Sequence, residues 1–226
     1  VLVADTGRPA PEEGDRFYRG AGFQPDQISF YHEMFGMFGR YVHALPESFH
    51  RLRDGDVMSI GAYEWEIIVG RGHSPEHACL YCAELNVLIS GDQLLPTISS
   101  NVSVFPTEPD ANPLADWIES LGRLKQRVPE DVLVLPAHGK PFHGAHGRLD
   151  DLVTEHVEGL DALAAFCVAP KRAIDVFPAL FRSKIDNKNL IMATGESIAH
   201  LNYLLDIRRL SVAQDNDGVN WYSAVT

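Results

Sequence analysis

Cysteine is scarce in this chain. Its three copies, Cys79, Cys82 and Cys167, are too few and too odd in number for a disulfide framework. Cys79-Leu80-Tyr81-Cys82 has C-x-x-C spacing. On a strand, however, positions i and i+3 face opposite sides of the sheet, which disfavours one shared metal or disulfide. Long apolar runs are missing as well. No run of about 18 apolar residues occurs, so no membrane-spanning helix is expected. The opening Val1-Leu2-Val3-Ala4-Asp5 is too short for the apolar region of a signal peptide. Both absences point to a cytoplasmic protein. Basic residues are the third shortage, 19 Lys+Arg against 31 Asp+Glu, for a net charge of −12. The deficit lies in residues 1–169, with 12 basic against 25 acidic residues, whereas residues 170–226 carry 7 against 6. An acidic body repels a phosphate backbone and the tail has no basic stripe, so nucleic acid is a disfavoured partner.

What is present reads as an ordinary globular chain. Its 226 residues are 45% hydrophobic and 22% charged, and a chain of that length buries about 70% of its unfolded surface. Val1 to Gly7 is expected to be irregular, and the Pro/Glu-rich stretch Arg8 to Asp15 reads as a loop or linker. Pro25 to Leu45 is helical in character, with one apolar stripe at Ile28, Tyr31, Phe35, Phe38 and Val42 and a second at Phe30, Met34, Met37 and Tyr41. Two apolar faces predict burial on both, or an apolar wall beside a site. Gly36 and Gly39 weaken the helix and make a break there plausible. Val57–Ile60 and Tyr63–Val69 predict a hairpin around Gly61-Ala62, followed by strands at Ala78–Ala83 and Val87–Ser90. Asn112-Pro113 reads as an N-cap with proline at the first helical position, opening a helix that crosses over into the strand Val132–Leu135. Arg148 to Cys167 is a further amphipathic helix.

The chemistry gathers at strand ends. Glu66–Gly70 leads into Gly72-His73-Ser74-Pro75-Glu76-His77; Leu85–Ser90 leads into Gly91-Asp92; Val132–Leu135 leads into Pro136-Ala137-His138-Gly139. Three strands thus each deliver one metal-competent side chain, His73, Asp92 and His138, and imidazole with carboxylate suits zinc or iron. His73 and His77 are four apart, but Pro75 between them argues for a loop rather than one helix face. Asp92 alone is compatible with a turn cap, but with two histidine motifs flanking it the ligand reading is the better one. Leu94 to Pro113 is a long Pro/Ser/Asn loop of the kind that is functional or mobile; Asn101 and Ser103 are candidate substrate contacts there, with a solvated loop as the default. His143, His146 and His156 are expected outside any first ligand shell.

H-S-P-x-H, then G-D, then A-H-G after a helix, resembles the second half of the metallo-β-lactamase superfamily, closest to its hydrolases with a winged-helix tail. The resemblance runs from about Arg53 to the C-terminus. It implies an α/β (α+β type) fold, a partial αββα sandwich over residues 1–169 with residues 1–50 as linker and aromatic helix. A small winged-helix domain over residues 170–226 follows. It implies His73 as a ligand of a first metal, Asp92 as the carboxylate bridging two metals, and His138 as a ligand of the second. His77 is then a supporting group, paired with Asp92 as the catalytic residues. Phe35, Phe38 and Asn101 are the candidate substrate contacts. Two zinc ions are the implied cofactors, with iron or manganese as alternatives, and a hydroxide shared between the ions attacks an ester, thioester, amide or phosphodiester. The aromatic helix favours a small apolar ester or thioester; the acidic body disfavours ribonuclease-like phosphodiester hydrolysis. Family members carry H-x-H-x-D-H upstream, and no such string occurs here, where His32, His43 and His50 are isolated. The expectation is therefore a truncated metallohydrolase with an incomplete or empty metal site. The alternative is a non-catalytic interaction module. Removing half of a sandwich exposes an apolar sheet face, which predicts a homodimer. The helix-helix-hairpin layout of the tail, with its Asp217-Gly218 turn, is expected to serve packing rather than DNA.

Overall fold

The computed structural model describes residues 8–43 and 46–225, without the side chain of Phe38. Val1 to Gly7, Ala44 and Leu45 lie outside the described residues. In chain order the helices are α1 (Glu12–Gly20), α2 (Pro25–Met34), α3 (Pro113–Arg127), α4 (Ala145–Phe166), α5 (Phe177–Leu180) and α6 (Leu190–Asp206). The strands are β1 (Val57–Ile60), β2 (Tyr63–Gly70), β3 (His77–Cys82), β4 (Val87–Gly91), β5 (Leu133–Pro136), β6 (Leu210–Gln214) and β7 (Asn220–Ala224). The chain divides into two compact units, residues 51–103 with 112–161, and residues 1–50 with 104–111 and 162–226.

The first unit is a five-stranded sheet in the order β1-β2-β3-β4-β5, antiparallel except for the parallel pair β4 and β5. A parallel neighbour needs a crossover, and α3 supplies it. Asn112 caps that helix by accepting from the Ala115 N–H at 3.2 Å, with proline at the first position. Its buried face is Leu114, Trp117, Ser120, Leu121 and Leu124. Arg127 near its end pairs with Glu66 and with Asp54, and Glu66 shares a sheet face with Ile68. Across that face Ile68, Cys79, Leu88 and Val134 are buried. On the opposite face Leu80, Ile89 and Leu135 run in register across three strands and stay partly exposed, Ile89 at 37%. Cys79 and Cys82 are both buried and both free.

The second unit carries a corrected element. Arg8 to Asp15 is not all loop, because α1 begins at Glu12. Glu12, Glu13 and Asp15 occupy its first turn, where carboxylates are favoured by the helix dipole. Tyr18 on α1 stacks on Phe23 and meets Tyr31 of α2 at 4.5 Å between ring centroids. The long helix expected from Pro25 also ends early. Phe35 turns extended, Gly36 takes φ +74°, and Met37–Arg40 forms one 3₁₀ turn. The break thus lies at the first of the two expected glycines. Only the first stripe is core, through Ile28 and Tyr31; Met34 and Tyr41 of the second are exposed. The core of this unit continues through α6, with Ala193, Ile198, Ala199, Leu201 and Leu204 buried, and the hairpin β6–β7 follows in register from Leu210↔Ala224 to Gln214↔Asn220.

Candidate metal centre

β2, β4 and β5 end at one edge of the sheet, and each is followed within three residues by a candidate ligand. The loop after Gly70 carries His73, the bulged turn after Gly91 (φ +54°) carries Asp92, and Pro136 leads to His138. The Ala137 N–H donates to the Gly91 carbonyl at 3.0 Å, which fixes the third segment to the second.

These ties bring the three side chains together around the Asp92 carboxylate. Its Oδ2 lies 3.6 Å from His73 Nε2, and its Oδ1 lies 3.4 Å from His138 Nε2. His73 Nδ1 faces the Asn101 carbonyl oxygen at 2.8 Å. A carbonyl only accepts, so Nδ1 carries a proton, which leaves Nε2 as the ring nitrogen available to a metal. Both separations are longer than an ordinary hydrogen bond. Donors bound at 2.0–2.1 Å to a tetrahedral ion stand about 3.3 Å apart, close to both observed separations. The donor set therefore fits divalent metal in kind and spacing, with one oxygen of Asp92 turned to each histidine. In number it supplies only one histidine and the shared carboxylate on each side. Among the described residues no group of three or more His, Cys, Asp or Glu is placed to hold one ion, whereas catalytic zinc takes three protein donors.

His77, at the start of β3, sits under the turn that carries Asp92. A Cβ on Gly91 would stand 2.4 Å from its Nε2. Burial pushes the His77 pKa below the ordinary value, and nearby His73 adds to that. The Asp92 carboxylate and a hydrogen bond with the Ser90 main chain pull the other way. His77 thus backs the site as a neutral ring. Asn101 contributes through its main-chain carbonyl, while its side-chain oxygen accepts from the Ser103 hydroxyl. The loop that holds it is less solvated than expected, since Leu94, Leu95, Val102 and Val104 are buried. Phe35 belongs to the other compact unit, half-buried against Tyr31, and the Phe38 side chain is outside the described residues. His143 and His146 hold the Asp131 and Val128 carbonyls, and His156 meets Ser99 at 3.2 Å. Sequence reasoning missed Gln93 and Ser120, both buried. The first is signalled only by its place after Asp92, the second by nothing beyond a polar residue on an apolar helix face.

The family profile described as Metallo-beta-lactamase superfamily matches residues 4–138. The chain belongs to the metallo-beta-lactamase superfamily. A second profile, Metallo-beta-lactamase-like, C-terminal domain, matches residues 160–225 of this superfamily member. Among solved structures the chain is similar to a beta-lactamase domain protein from Burkholderia ambifaria, at TM-score 0.86 and 40% identity. That likeness covers 94% of this chain and 61% of the other. A metallo-beta-lactamase family protein from Thermus thermophilus superposes at TM-score 0.79 with 26% identity, covering 95% of this chain and 64% of that one. A relative from Aquifex aeolicus (strain VF5) is 31% identical over 108 residues, 47% of this chain and 49% of its own length. The chain thus spans about half to two thirds of these relatives.

Proposed function

We propose that this chain carries part of a dinuclear metal-dependent hydrolase, with His73, Asp92 and His138 as its share of the ligands and a small ester or thioester as substrate. One observation carries the reading: the Asp92 carboxylate stands between two imidazole Nε2 atoms at 3.4 and 3.6 Å, with the tautomer of His73 set by Asn101. Superfamily membership supports hydrolysis as the reaction class. Bound there, divalent zinc, or iron or manganese, supplies Lewis acidity and lowers the pKa of a coordinated water toward neutrality.

The residues of this chain do the rest. Asp92, with one carboxylate oxygen turned to His73 and the other to His138, would hold the metal together with those two side chains. The Asn101 carbonyl keeps the His73 lone pair inward, and the Ala137–Gly91 hydrogen bond keeps His138 at the same edge. His77, half-buried with its pKa lowered by burial, backs the site from the start of β3. The test is metal content per chain by elemental mass spectrometry after chelator-free purification, followed by assay on ester and thioester substrates. Two Zn, Fe or Mn per chain with turnover supports the reading. Metal-free protein that takes up no added Zn2+ sinks it for this chain.

A second reading, a self-associating module, is favoured by the partly exposed row Leu80, Ile89 and Leu135 on the sheet face opposite α3. Sedimentation at micromolar concentration decides it, because a dimer that Ile89→Lys converts to monomer supports the module and a wild-type monomer rejects it.

A further inference from the structure

α3 packs on the sheet with leucines and a tryptophan, and Ser120 is the polar exception on its buried face. Its side chain is 2% exposed. The hydroxyl oxygen accepts the Arg71 N–H at 2.9 Å and the Gln93 Nε2–H at 3.3 Å, which takes both of its lone pairs. Arg71 lies two residues before His73, and Gln93 directly follows Asp92. Gln93 is fully buried, and its Oε1 has no hydrogen-bond partner among the described residues. The position of its amide therefore depends on Ser120. The surrounding glycines keep this junction tight. A Cβ on Gly70 would stand 2.1 Å from Gln93 Oε1, and one on Gly72, at φ +99°, would stand 2.5 Å from the Trp117 Cβ.

We infer that Ser120 is a positioning residue for the metal centre. One buried hydroxyl sets the spacing between the His73 loop and the Asp92 turn. This rests on the reading of His73, Asp92 and His138 as metal ligands. The spacing of His138 from Asp92 is set separately, by the Ala137 N–H on the Gly91 carbonyl. Loss of the hydroxyl therefore acts on one side of the centre only. Packing alone does not explain the residue, since alanine would fill the same helix position. What alanine cannot do is accept the part-buried Arg71 N–H and the buried Gln93 amide, and such donors left unpaired drive the segments apart until water or another acceptor reaches them.

The test uses the whole 226-residue chain, 15N-labelled, with the imidazole nitrogens observed by long-range NMR correlation. In Ser120→Ala the His73 resonances are expected to move to a mixture of tautomers while those of His138 stay in place, and the Arg71 amide exchanges at least tenfold faster. Ser120→Thr, which keeps the hydroxyl, restores the wild-type His73 pattern. Gln93→Met removes one arm of the junction and is expected to shift His73 while the Arg71 amide stays protected. It also serves if Ser120→Ala does not fold. A parallel Co2+ titration is expected to show an affinity loss of about 10- to 100-fold in Ser120→Ala, as for other groups that orient ligands. Unchanged His73 resonances in both variants, or equal changes at His73 and His138, overturn the inference. If the wild-type chain takes up no Co2+ and Ser120→Ala still moves His73 alone, the positioning role stands and the metal reading falls.

Discussion

Asp92 is held from both ends. The Ser100 hydroxyl donates to its main-chain carbonyl, Gly91 before it is tied to Ala137, and Gln93 after it to Ser120. A turn fixed this way keeps its shape when the carboxylate is changed. Asp92→Asn is therefore expected to leave urea-unfolding stability within about 1 kcal/mol of wild type while abolishing Zn2+ uptake measured by calorimetry. Uptake that survives the change would remove Asp92 from the centre. Gly91 is constrained differently, by φ +54° and by the His77 ring against it. Gly91→Ala is expected to cost at least about 1–2 kcal/mol for the left-handed backbone, with a further loss as His77 is displaced. Urea denaturation reads the sum. At this scale His73, Asp92 and His138 were legible because each is a ligand-type side chain at the end of an apolar run. The Asn101 carbonyl was not, since any residue brings the same main-chain oxygen. Nor was Ser120, because a single hydroxyl on a helix leaves no periodic signal.

Helices and strands were legible where pattern and capping agreed. Asn112-Pro113 opens α3 as read, and Asn112→Ala is expected to lower stability by about 1 kcal/mol in thermal unfolding. α1 was missed because its acidic first turn looks like a polar linker until Tyr18 is seen packed on Phe23 and Tyr31. The long aromatic helix was over-read because two stripes at helical spacing continue past the backbone turn at Phe35 and Gly36. α6 is expected to carry a pH response. Burial pushes the His200 pKa below its ordinary value, with a hydrogen bond to the Glu196 carbonyl opposing. A histidine neutral in the folded state and free to protonate when unfolded binds fewer protons folded, so stability falls as pH drops below about 6.5. His77 adds a term of the same sign. Unfolding free energy measured between pH 7.5 and 5.5 is expected to decline toward acid, and less steeply in His200→Gln. An equal slope in that variant would assign the response elsewhere.

For the whole molecule, the β1–β2 hairpin and the α3 crossover into β5 were readable from the succession of apolar runs. The joining of α1 and the turn after it to the tail was not, since it runs through contacts that no local pattern announces, such as the Ile174 N–H on the Ala21 carbonyl. The site is assembled over unequal stretches of chain. β2, β3 and β4 pair antiparallel with their direct neighbours, so His73 and Asp92 meet through short-range pairing. His138 is brought in by β5, which lies parallel to β4 and is separated from it in the chain by the whole of α3. Parallel pairing over a long crossover is slow because the loop must be closed before any contact rewards it. The candidate centre is therefore expected to assemble in two steps. In refolding, the His73–Asp92 half is expected to form first and the His138 half last, an order that pulse-labelling hydrogen exchange at the amides of β3 and β5 reads directly.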